Sequence, residues 1–443
     1  MKKPFSGNNS RRDFVKGTSL LAGGILAAPL LSRANFFSGS DDTIKIAVVG
    51  CGGRGTGAAM QALSSKQNVK IVAMADAFKD NLDSCHKSLT EEINNSIGEL
   101  AKRLDVPEER RFTGFDGYQK AIALADVVIL ATPPGFRPIH FAEAIKQGKH
   151  VFMEKPVATD PAGIQSVLAT AAIAKQKKLN VVVGLQRHYQ NSYRELYKRK
   201  DLIGDITSAQ AWWDNDGVWV RPRKYNQTEM EYQMRNWYYF NWLCGDHITE
   251  QHIHNLDVIN WFKGGHPVKA QGFGGRQVRN GKDHGEIFDH HFVEFEYADG
   301  SILNSQCRHI PGTMSKVDEL LVGTKGKIFC GAAHIKDHTG KLIYQYDTKL
   351  ENNPYQTEHD ELFAAIAKGE YKYADAENGA SSTMTSILGR MATYTGQVID
   401  WDKAINSGID IHPKVYDWNA EPPVLPNADG YYPIAIPGVT KYF

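Results

Sequence analysis

Residues 44–55 read IKIAVVGCGGRG, a short β-branched run followed by a glycine-rich turn. The turn fits the spacing G-x-G-x-x-G through Gly50, Gly52 and Gly55. In such a turn the first glycine permits the tight bend, the second lets a pyrophosphate approach the backbone, and the third allows the next helix to pack closely. Because a helical pattern follows from Ala58, the stretch predicts a dinucleotide-binding turn at the start of a parallel sheet.

Strand and helix patterns alternate from this turn to residue 185. Such alternation is typical of a doubly wound parallel sheet, so we predict a Rossmann domain over residues 43–185. The further predicted strands are Val69–Ala75, Ala125–Ala131, His150–Met153 and Asn180–Gly184, and the predicted helices include Asp80–Leu104 and Pro161–Lys177.

The pattern changes after residue 185. The runs Phe292–Tyr297, Ile302–Gln306 and Lys327–Cys330 lie beside turn signals such as Asp299-Gly300, which is typical of antiparallel strands. We therefore predict a second, α+β domain over residues 186–412 with a large, open, mainly antiparallel sheet. A Pro-rich tail over residues 413–443 is predicted to be an extended wrapping segment.

Composition excludes several classes of partner. The chain has 443 residues, enough for two domains, and 51 Lys and Arg balance 50 Asp and Glu. Without a net field, neither nucleic acid nor an anionic membrane is an expected partner. The five cysteines have no C-x-x-C spacing, so we expect buried thiols and not a disulfide framework or a thiolate zinc site.

The first residues have the character of an export signal. SRRDFVK at residues 10–16 precedes the apolar stretch Thr18–Leu31, and small residues follow near Ala34. The apolar stretch is shorter than the roughly 20 residues that a membrane-spanning helix needs, so stable membrane insertion is not expected. We predict a twin-arginine signal over residues 1–34 and a periplasmic location.

The second strand ends on a carboxylate, Asp76. A carboxylate at this distance from the glycine turn is placed to accept hydrogen bonds from the adenosine ribose. Because it would repel a 2′-phosphate, NAD is favoured as the cofactor. The nearby cations Arg54 and Lys79 leave NADP as an alternative.

Several motifs beyond the turn point to a known family. The chain reads ATPP at 131–134, followed by His140, GKHVFMEKP at 148–156, VGLQR at 183–187, VGTKG at 322–326 and DAENG at 375–379. These motifs resemble the glucose-fructose oxidoreductase and inositol dehydrogenase family, often written Gfo/Idh/MocA, over almost all of the chain after residue 34. The resemblance implies an NAD(P)-dependent oxidoreductase of a sugar, glycoside or polyol in carbohydrate catabolism. It also implies a homodimer or homotetramer that pairs open sheets.

The resemblance extends the expected cofactor site and places Lys155 beside the nicotinamide as a catalytic residue. The cofactor-binding residues expected from the turn and the resemblance together are Gly50, Gly52, Gly53, Arg54, Gly55, Asp76, Thr132, Pro133, Pro134, His140, Glu154, Lys155 and Gln186.

A second catalytic element is GDHITEQHIHNLD at residues 245–257. The family usually has an Asp four residues before a catalytic His and another Asp three residues after it; the matching positions here are Glu250, His254 and Asp257. Four residues are one helical turn, so we expect Glu250 to orient the imidazole of His254, the predicted proton acceptor. A core histidine with a structural role is the alternative reading of His254.

A metal site is a further alternative. His247, Glu250 and His254 would share one face of a continuous helix and could ligate zinc, although the H-E-x-x-H spacing is absent. His290 and His291 point to opposite faces of a predicted strand, so we expect both to be structural. We predict no metal ligand in this chain.

Aromatic residues indicate the substrate side of the site. Five of the eight tryptophans lie between Trp212 and Trp242, and flat aromatic faces suit the C–H faces of a sugar ring. We predict substrate contacts from Trp219, Arg221, Arg187 and His252. Two other functions stay open: a redox-neutral glycosidase or epimerase that keeps its NAD, and a non-catalytic sugar or dinucleotide sensor.

Overall fold

The computed structural model describes residues 43–95 and 102–442. The predicted export signal, residues 1–34, lies outside them. Within the described residues no helix is long and apolar enough to cross a membrane. All five cysteines are buried as free thiols, as predicted.

The predicted doubly wound sheet is confirmed. Its strands are β1 (Ile44–Val49), β2 (Val69–Asp76), β3 (Arg111–Thr113), β4 (Val127–Leu130), β5 (His150–Met153) and β6 (Val181–Val183). They are all parallel, in the order β3-β2-β1-β4-β5-β6. The chain runs outward from β1 to β3 and then returns to β4 on the other side of β1. This reversal opens a crevice at the carboxyl ends of β1 and β4, where open α/β sheets bind ligands.

Five helices accompany this sheet. They are α1 (Gly53–Leu63), α2 (Lys79–Asn95), α3 (Gly117–Ala123), α4 (Arg137–Lys146) and α5 (Pro161–Gln176). Helix α5 begins where predicted, because the side chain of Asp160 accepts a hydrogen bond from Gly163 N and a proline occupies the first turn. Helix α2 is described as far as Asn95, and Leu104, the predicted end of this helix, forms a parallel β-bridge to Ile71 instead.

The second sheet has nine strands and is mixed. They are β7 (Ile206–Asn215), β8 (Lys269–Gly275), β9 (His290–Glu296), β10 (Ile302–His309), β11 (Lys316–Gly323), β12 (Gly326–Phe329), β13 (His334–Asp337), β14 (Leu342–Gln345) and β15 (Ile399–Asp400), in the order β14-β13-β12-β11-β7-β10-β9-β8-β15. All pairs are antiparallel except β7 with β10, which confirms a mainly antiparallel sheet. Burial alternates along β9, with His290 half-buried and His291 buried.

The second half of the described chain contains eight helices. They are α6 (Asn191–Lys198), α7 (Glu229–Arg235), α8 (Asn241–Cys244), α9 (His247–Glu250), α10 (Ile253–Lys263), α11 (Pro354–Ala367), α12 (Ala376–Thr395) and α13 (Trp401–Ile405). Helix α12 is buried along most of its length. A Cβ added at its Gly389 would lie 2.8 Å from the Phe295 ring, so the glycine lets this helix approach β9 closely. Val183, Met384 and Phe295 share one apolar core, which joins the two sheets.

Residues 413–442 contain no helix or strand. The tail packs its aromatic side chains against loops of the first sheet. The Trp418 ring lies 5.0 Å from Phe78 and 4.5 Å from Phe115, between ring centroids. The tail therefore supports loops that follow β2 and β3.

Candidate active site

A cleft of about 520 Å³ opens where the strand order of the first sheet reverses, and it extends to helices α9 and α10. The predicted site residues that line it are Gly50, Gly52, Gly53, Arg54, Asp76, Thr132, Pro133, Pro134, His140, Glu154, Lys155, Trp219, Arg221, Glu250 and His254. Four predicted residues lie outside the lining: Gly55, Gln186, Arg187 and His252.

The glycine turn has the geometry that a dinucleotide requires. Gly50 adopts φ +95°, and a Cβ there would lie 2.4 Å from Thr132 N. A Cβ at Gly55 would lie 1.8 Å from Gly50 O, so this glycine brings α1 against the turn. Gly52 begins α1 without a side-chain cap and faces open space. The first N–H groups of α1 are thus accessible to the phosphates of a dinucleotide.

Asp76 lies at the carboxyl end of β2 and orders the turn. Its Oδ2 accepts a hydrogen bond from Cys51 N at 2.7 Å, and its Oδ1 accepts one from Phe78 N at 2.8 Å. Burial raises the pKa of Asp76, and the two N–H donors oppose that rise. The carboxylate still lines the cleft, where a ribose hydroxyl can donate to it.

The two cations that kept NADP open are both engaged elsewhere. Arg54 donates to Glu154 Oε1 at 2.5 Å and to Glu358 Oε1 at 3.1 Å. Lys79 pairs with Asp83 at 2.7 Å on the surface. Arg54 lines the cleft with two carboxylates engaging its guanidinium, Lys79 does not line the cleft, and the carboxylate of Asp76 faces it.

Replacing Asp76 by alanine is expected to weaken NAD binding by about tenfold or more, because a charge-assisted hydrogen bond to the ribose is lost. NADP binding should weaken less, since the substitution also removes the repulsion of the 2′-phosphate. Titration of both nucleotides, followed by protein fluorescence, measures the two dissociation constants. Asp201→Ala, on an exposed residue, is the control. An equal loss for both nucleotides would exclude this role for Asp76.

The ends of β4 and β5 are joined by a residue that the sequence analysis missed. Arg137 donates to Glu154 O at 2.9 Å and to Thr132 O at 2.6 Å. Its side chain is almost fully buried, and burial lowers its pKa to about 10. His140 Nδ1 lies 3.2 Å from Thr132 Oγ1, and burial lowers the pKa of His140 to about 3. A single arginine after a Pro-Pro turn gives no sequence signal for this role.

Lys155 forms an ion pair in the cleft. Its Nζ donates to Glu250 Oε1 at 2.9 Å and to the Glu250 backbone oxygen at 2.5 Å. Both side chains are nearly buried, with 13% and 14% exposure. Burial raises the pKa of Glu250, and the charge of Lys155 opposes that rise. Glu250 therefore positions Lys155.

The predicted contact between Glu250 and His254 is wrong. Helix α9 ends at Glu250 and α10 begins at Ile253, so the two residues do not share consecutive turns of one helix. Glu250 bonds to Lys155, and His254 Nδ1 is buried without a hydrogen-bond partner.

His254 still lies in the cleft, as an uncharged imidazole. Its ring stacks on Trp213 with the centroids 5.9 Å apart. Burial, followed by the charges of Lys155 and Arg187, holds the pKa of His254 well below its usual range. A neutral imidazole has a lone pair that can accept a proton.

Asp257, the third residue of the expected family pattern, has a structural partner. Its Oδ2 lies 2.8 Å from His188 Nε2, and its Oδ1 accepts from Asn378 and Ser382 at 3.0 and 2.8 Å. Asp257 therefore joins α10 to the loop after β6 and to α12.

The alternative zinc set is not assembled. His247 Nδ1 lies 2.8 Å from Asp246 Oδ1, and His247 does not line the cleft with Glu250 and His254. In the described part of the chain, Asp246, His247 and His291 are close enough to hold an ion, yet hydrogen bonds already engage Asp246.

Aromatic residues form part of the cleft wall. Trp213, Trp219 and Trp237 line it, and the Arg221 guanidinium lies 4.5 Å from the Trp219 ring centroid. This surface suits the C–H faces and hydroxyls of a sugar or polyol.

Two predicted substrate contacts are engaged elsewhere. Arg187 pairs with the buried carboxylate of Glu319. His252 Nε2 lies 2.6 Å from Ser305 Oγ, and burial lowers the pKa of His252 to about 3. Arg187 is thus bound to β11 and His252 to β10, and neither side chain lines the cleft.

Comparison with known proteins agrees with the geometry. Residues 44–185 match the family model GFO_IDH_MocA, described as an oxidoreductase family with an NAD-binding Rossmann fold. The chain is 27% identical to an inositol 2-dehydrogenase of Ralstonia nicotianae over 70% of this chain and 84% of that protein. Across eight curated relatives, the share of their length that the chain spans runs from 51% to 92%.

Solved structures share the fold of both sheets. The scyllo-inositol dehydrogenase of Lactobacillus casei matches with a TM-score of 0.61 at 20% identity, covering 82% of this chain and 99% of that chain. The aldose-aldose oxidoreductase of Caulobacter crescentus matches with a TM-score of 0.63 at 16% identity, covering 81% and 100%. The family model over residues 44–185, these matches and the cleft support the Gfo/Idh/MocA resemblance and an NAD-binding oxidoreductase.

Proposed function

We propose that this protein oxidises a secondary alcohol carbon of a sugar, glycoside or polyol, with NAD as the hydride acceptor. The observation that carries the proposal is the pairing of Lys155 with Glu250 in a cleft that also holds an uncharged His254 and the glycine turn. An alcohol oxidation needs these elements: a hydride acceptor, a base for the hydroxyl proton and a group that holds the oxygen.

Lys155 is arranged to hold the reacting oxygen. An ammonium group has three donors, and Glu250 accepts from two of them. The third N–H is left for a substrate oxygen in the cleft. Because the ion pair fixes the ammonium, the donor is positioned before substrate binds.

His254 is arranged to take the hydroxyl proton. Its depressed pKa keeps the imidazole uncharged, so a lone pair is available at neutral pH. NAD, when bound across the glycine turn, supplies the hydride acceptor. The tryptophans that line the cleft offer flat surfaces to the sugar ring.

The substrate class can be tested directly. We expect NADH formation with at least one member of a panel that contains myo-inositol, scyllo-inositol, levoglucosan and common glycosides. Products are followed by mass as well as by NADH absorbance. A product without net NADH would favour the redox-neutral alternative, and binding without any product would favour the sensor.

We also propose that the protein works in the periplasm and keeps its NAD over many turnovers. The sequence over residues 1–34 supports export, and folding around NAD before export would supply a cofactor that is scarce outside the inner membrane. The aromatic tail supports retention, since Trp418 packs behind Phe78 and Phe115, which line the cleft. The shared fold with an aldose-aldose oxidoreductase is consistent with a hydride that is returned to a second substrate.

Protein isolated from the periplasm without added NAD is expected to contain about one nucleotide per chain, because the tail holds the wall of the cleft. Trp418→Ala should lower this content and speed the exchange of bound NAD. Replacing Arg11 and Arg12 by lysine should leave the protein in the cytoplasm. Nucleotide content is measured by mass spectrometry after denaturation. Empty wild-type protein that needs excess NAD and releases NADH in step with product would contradict retention.

A further inference from the structure

Gln251 lies at the break between helices α9 and α10 and lines the cleft between Glu250 and His254. Its carboxamide has two faces of opposite character, an oxygen that accepts and a nitrogen that donates. The Oε1 atom lies 2.7 Å from Nε2 of His309, the last residue of β10. The carboxamide oxygen is therefore hydrogen-bonded to the second sheet.

The partner of His309 on its other side determines the direction of this hydrogen bond. Arg279 Nη2 lies 2.6 Å from His309 Nδ1. A guanidinium group only donates, so Nδ1 must accept. Burial, together with the charges of His247 and Arg279, lowers the pKa of His309 and keeps the ring neutral. The single ring proton is consequently on Nε2, which donates to Gln251 Oε1.

Arg279 is itself held in place. Its side chain is buried, and it donates through Nη1 to Phe288 O at 2.8 Å. Its backbone N–H donates to Asp289 Oδ2 at 3.0 Å. The two hydrogen bonds from Arg279 to His309 and from His309 to Gln251 form a relay. It starts from a fixed cation, and each hydrogen bond in it is donated toward Gln251.

We propose that Gln251 is a specificity-determining residue that donates a hydrogen bond from Nε2 to an oxygen of the substrate. The relay engages the carboxamide oxygen, so the cleft receives the amide donor. Gln251 follows the lysine-binding Glu250 directly and precedes His254 by three residues, so the oxygen it binds belongs to a group near the reacting carbon. His309 and Arg279 are positioning residues. This inference rests on the proposed function for the identity of the ligand.

Gln251→Glu tests this directly, because glutamate keeps the shape of the side chain and puts a hydrogen-bond acceptor where the amide donor faces the cleft. One carboxylate oxygen still accepts from His309, and the other presents an acceptor in place of the donor. With any polyol of the panel that wild type oxidises, KM should rise by about tenfold or more, since a matched hydrogen bond becomes a repulsive contact. The dissociation constant of NAD should stay unchanged. Gln165→Glu, at an exposed site on α5, is the matched control.

Deoxy analogues of that polyol locate the oxygen. Wild type should discriminate against the loss of one particular hydroxyl by about tenfold, and Gln251→Leu should lose that discrimination while keeping the others. His309→Phe removes the donor to Gln251 and should weaken the same discrimination in part. An unchanged KM in Gln251→Glu, or an equal effect on every analogue, would overturn the proposal.

The relay can also be tested without a substrate. In protein labelled with ¹⁵N-histidine, the resonances lost in His309→Phe identify that ring. We expect its proton on Nε2 and an unprotonated Nδ1; a proton on Nδ1 would overturn the inference. If wild type oxidises no polyol, the proposed function fails on that result alone, while the tautomer still decides the orientation of Gln251.

Discussion

Replacing Lys155 by alanine is expected to lower kcat by about a hundredfold to ten-thousandfold, the range that a positioned acid or base group contributes. In wild type the ammonium has two of its donors on Glu250 and one left for the reacting oxygen. Alanine removes that donor and its charge from the place where negative charge develops on the oxygen. Steady-state kinetics with a polyol that wild type oxidises, together with NAD titration, measures the loss.

The alanine variant also leaves Glu250 buried without its partner. Burial already raises the pKa of Glu250, so the carboxyl will protonate more readily once Lys155 is absent. The double variant Lys155→Ala/Glu250→Gln avoids an unpaired charge and should be as inactive as the single variant. Lys149→Ala, at the opposite end of β5, is the matched control. A folded Lys155→Ala protein with kcat within threefold of wild type would exclude this role.

Local sequence patterns predicted the first sheet well. Strand β1, the glycine turn and α1 follow from residues that are neighbours in the chain, and β5 lies at the predicted residues. Parallel strands buried on both faces give continuous apolar runs, which are easy to recognise. The short strand β3 was missed, because Arg111–Thr113 has three residues and only one apolar side chain.

The second sheet shows where local patterns stop being informative. Strands β7 and β10 pair in parallel although 86 residues lie between Asn215, the end of β7, and Ile302, the start of β10. That pairing depends on long-range packing, which no hydrophobic period encodes. The predicted mainly antiparallel character came from turn signals between neighbouring strands, and those pairs are the ones that sequence can indicate.

Some residues of the site could likewise be predicted from local motifs, whereas contacts between distant parts of the chain could not. Glycines and Asp76 were found because the motif and its spacing are local. The ion pair of Lys155 with Glu250 joins residues 95 positions apart, and the relay to Gln251 joins residues 58 positions apart. The one-turn relation of Glu250 to His254 was a local expectation that failed, because the helix breaks at Gln251.

Replacing His254 by alanine is expected to lower kcat by about a hundredfold or more, because the hydroxyl proton loses its acceptor. The pH dependence tests the role further. An ordinary histidine, with a pKa of about 6.5, would lose its lone pair as pH falls through that value. The pKa of His254 is held well below its usual range, so the imidazole stays a base through this interval.

The acid limb of kcat/KM should therefore lie below pH 6.5 in wild type. Burial raises the pKa of Glu250, so this carboxyl could also produce an acid limb. If the acid limb moves in Glu250→Gln, it is assigned to the Glu250 carboxyl. Lys155 lowers the pKa of His254 by its charge, so a variant without that charge should move the His254 limb toward higher pH. His266→Ala, which stacks on Trp401 outside the cleft, should leave the profile unchanged. Full activity in a folded His254→Ala protein would mean that another group accepts the hydroxyl proton. Glu250 would then be the next residue to test.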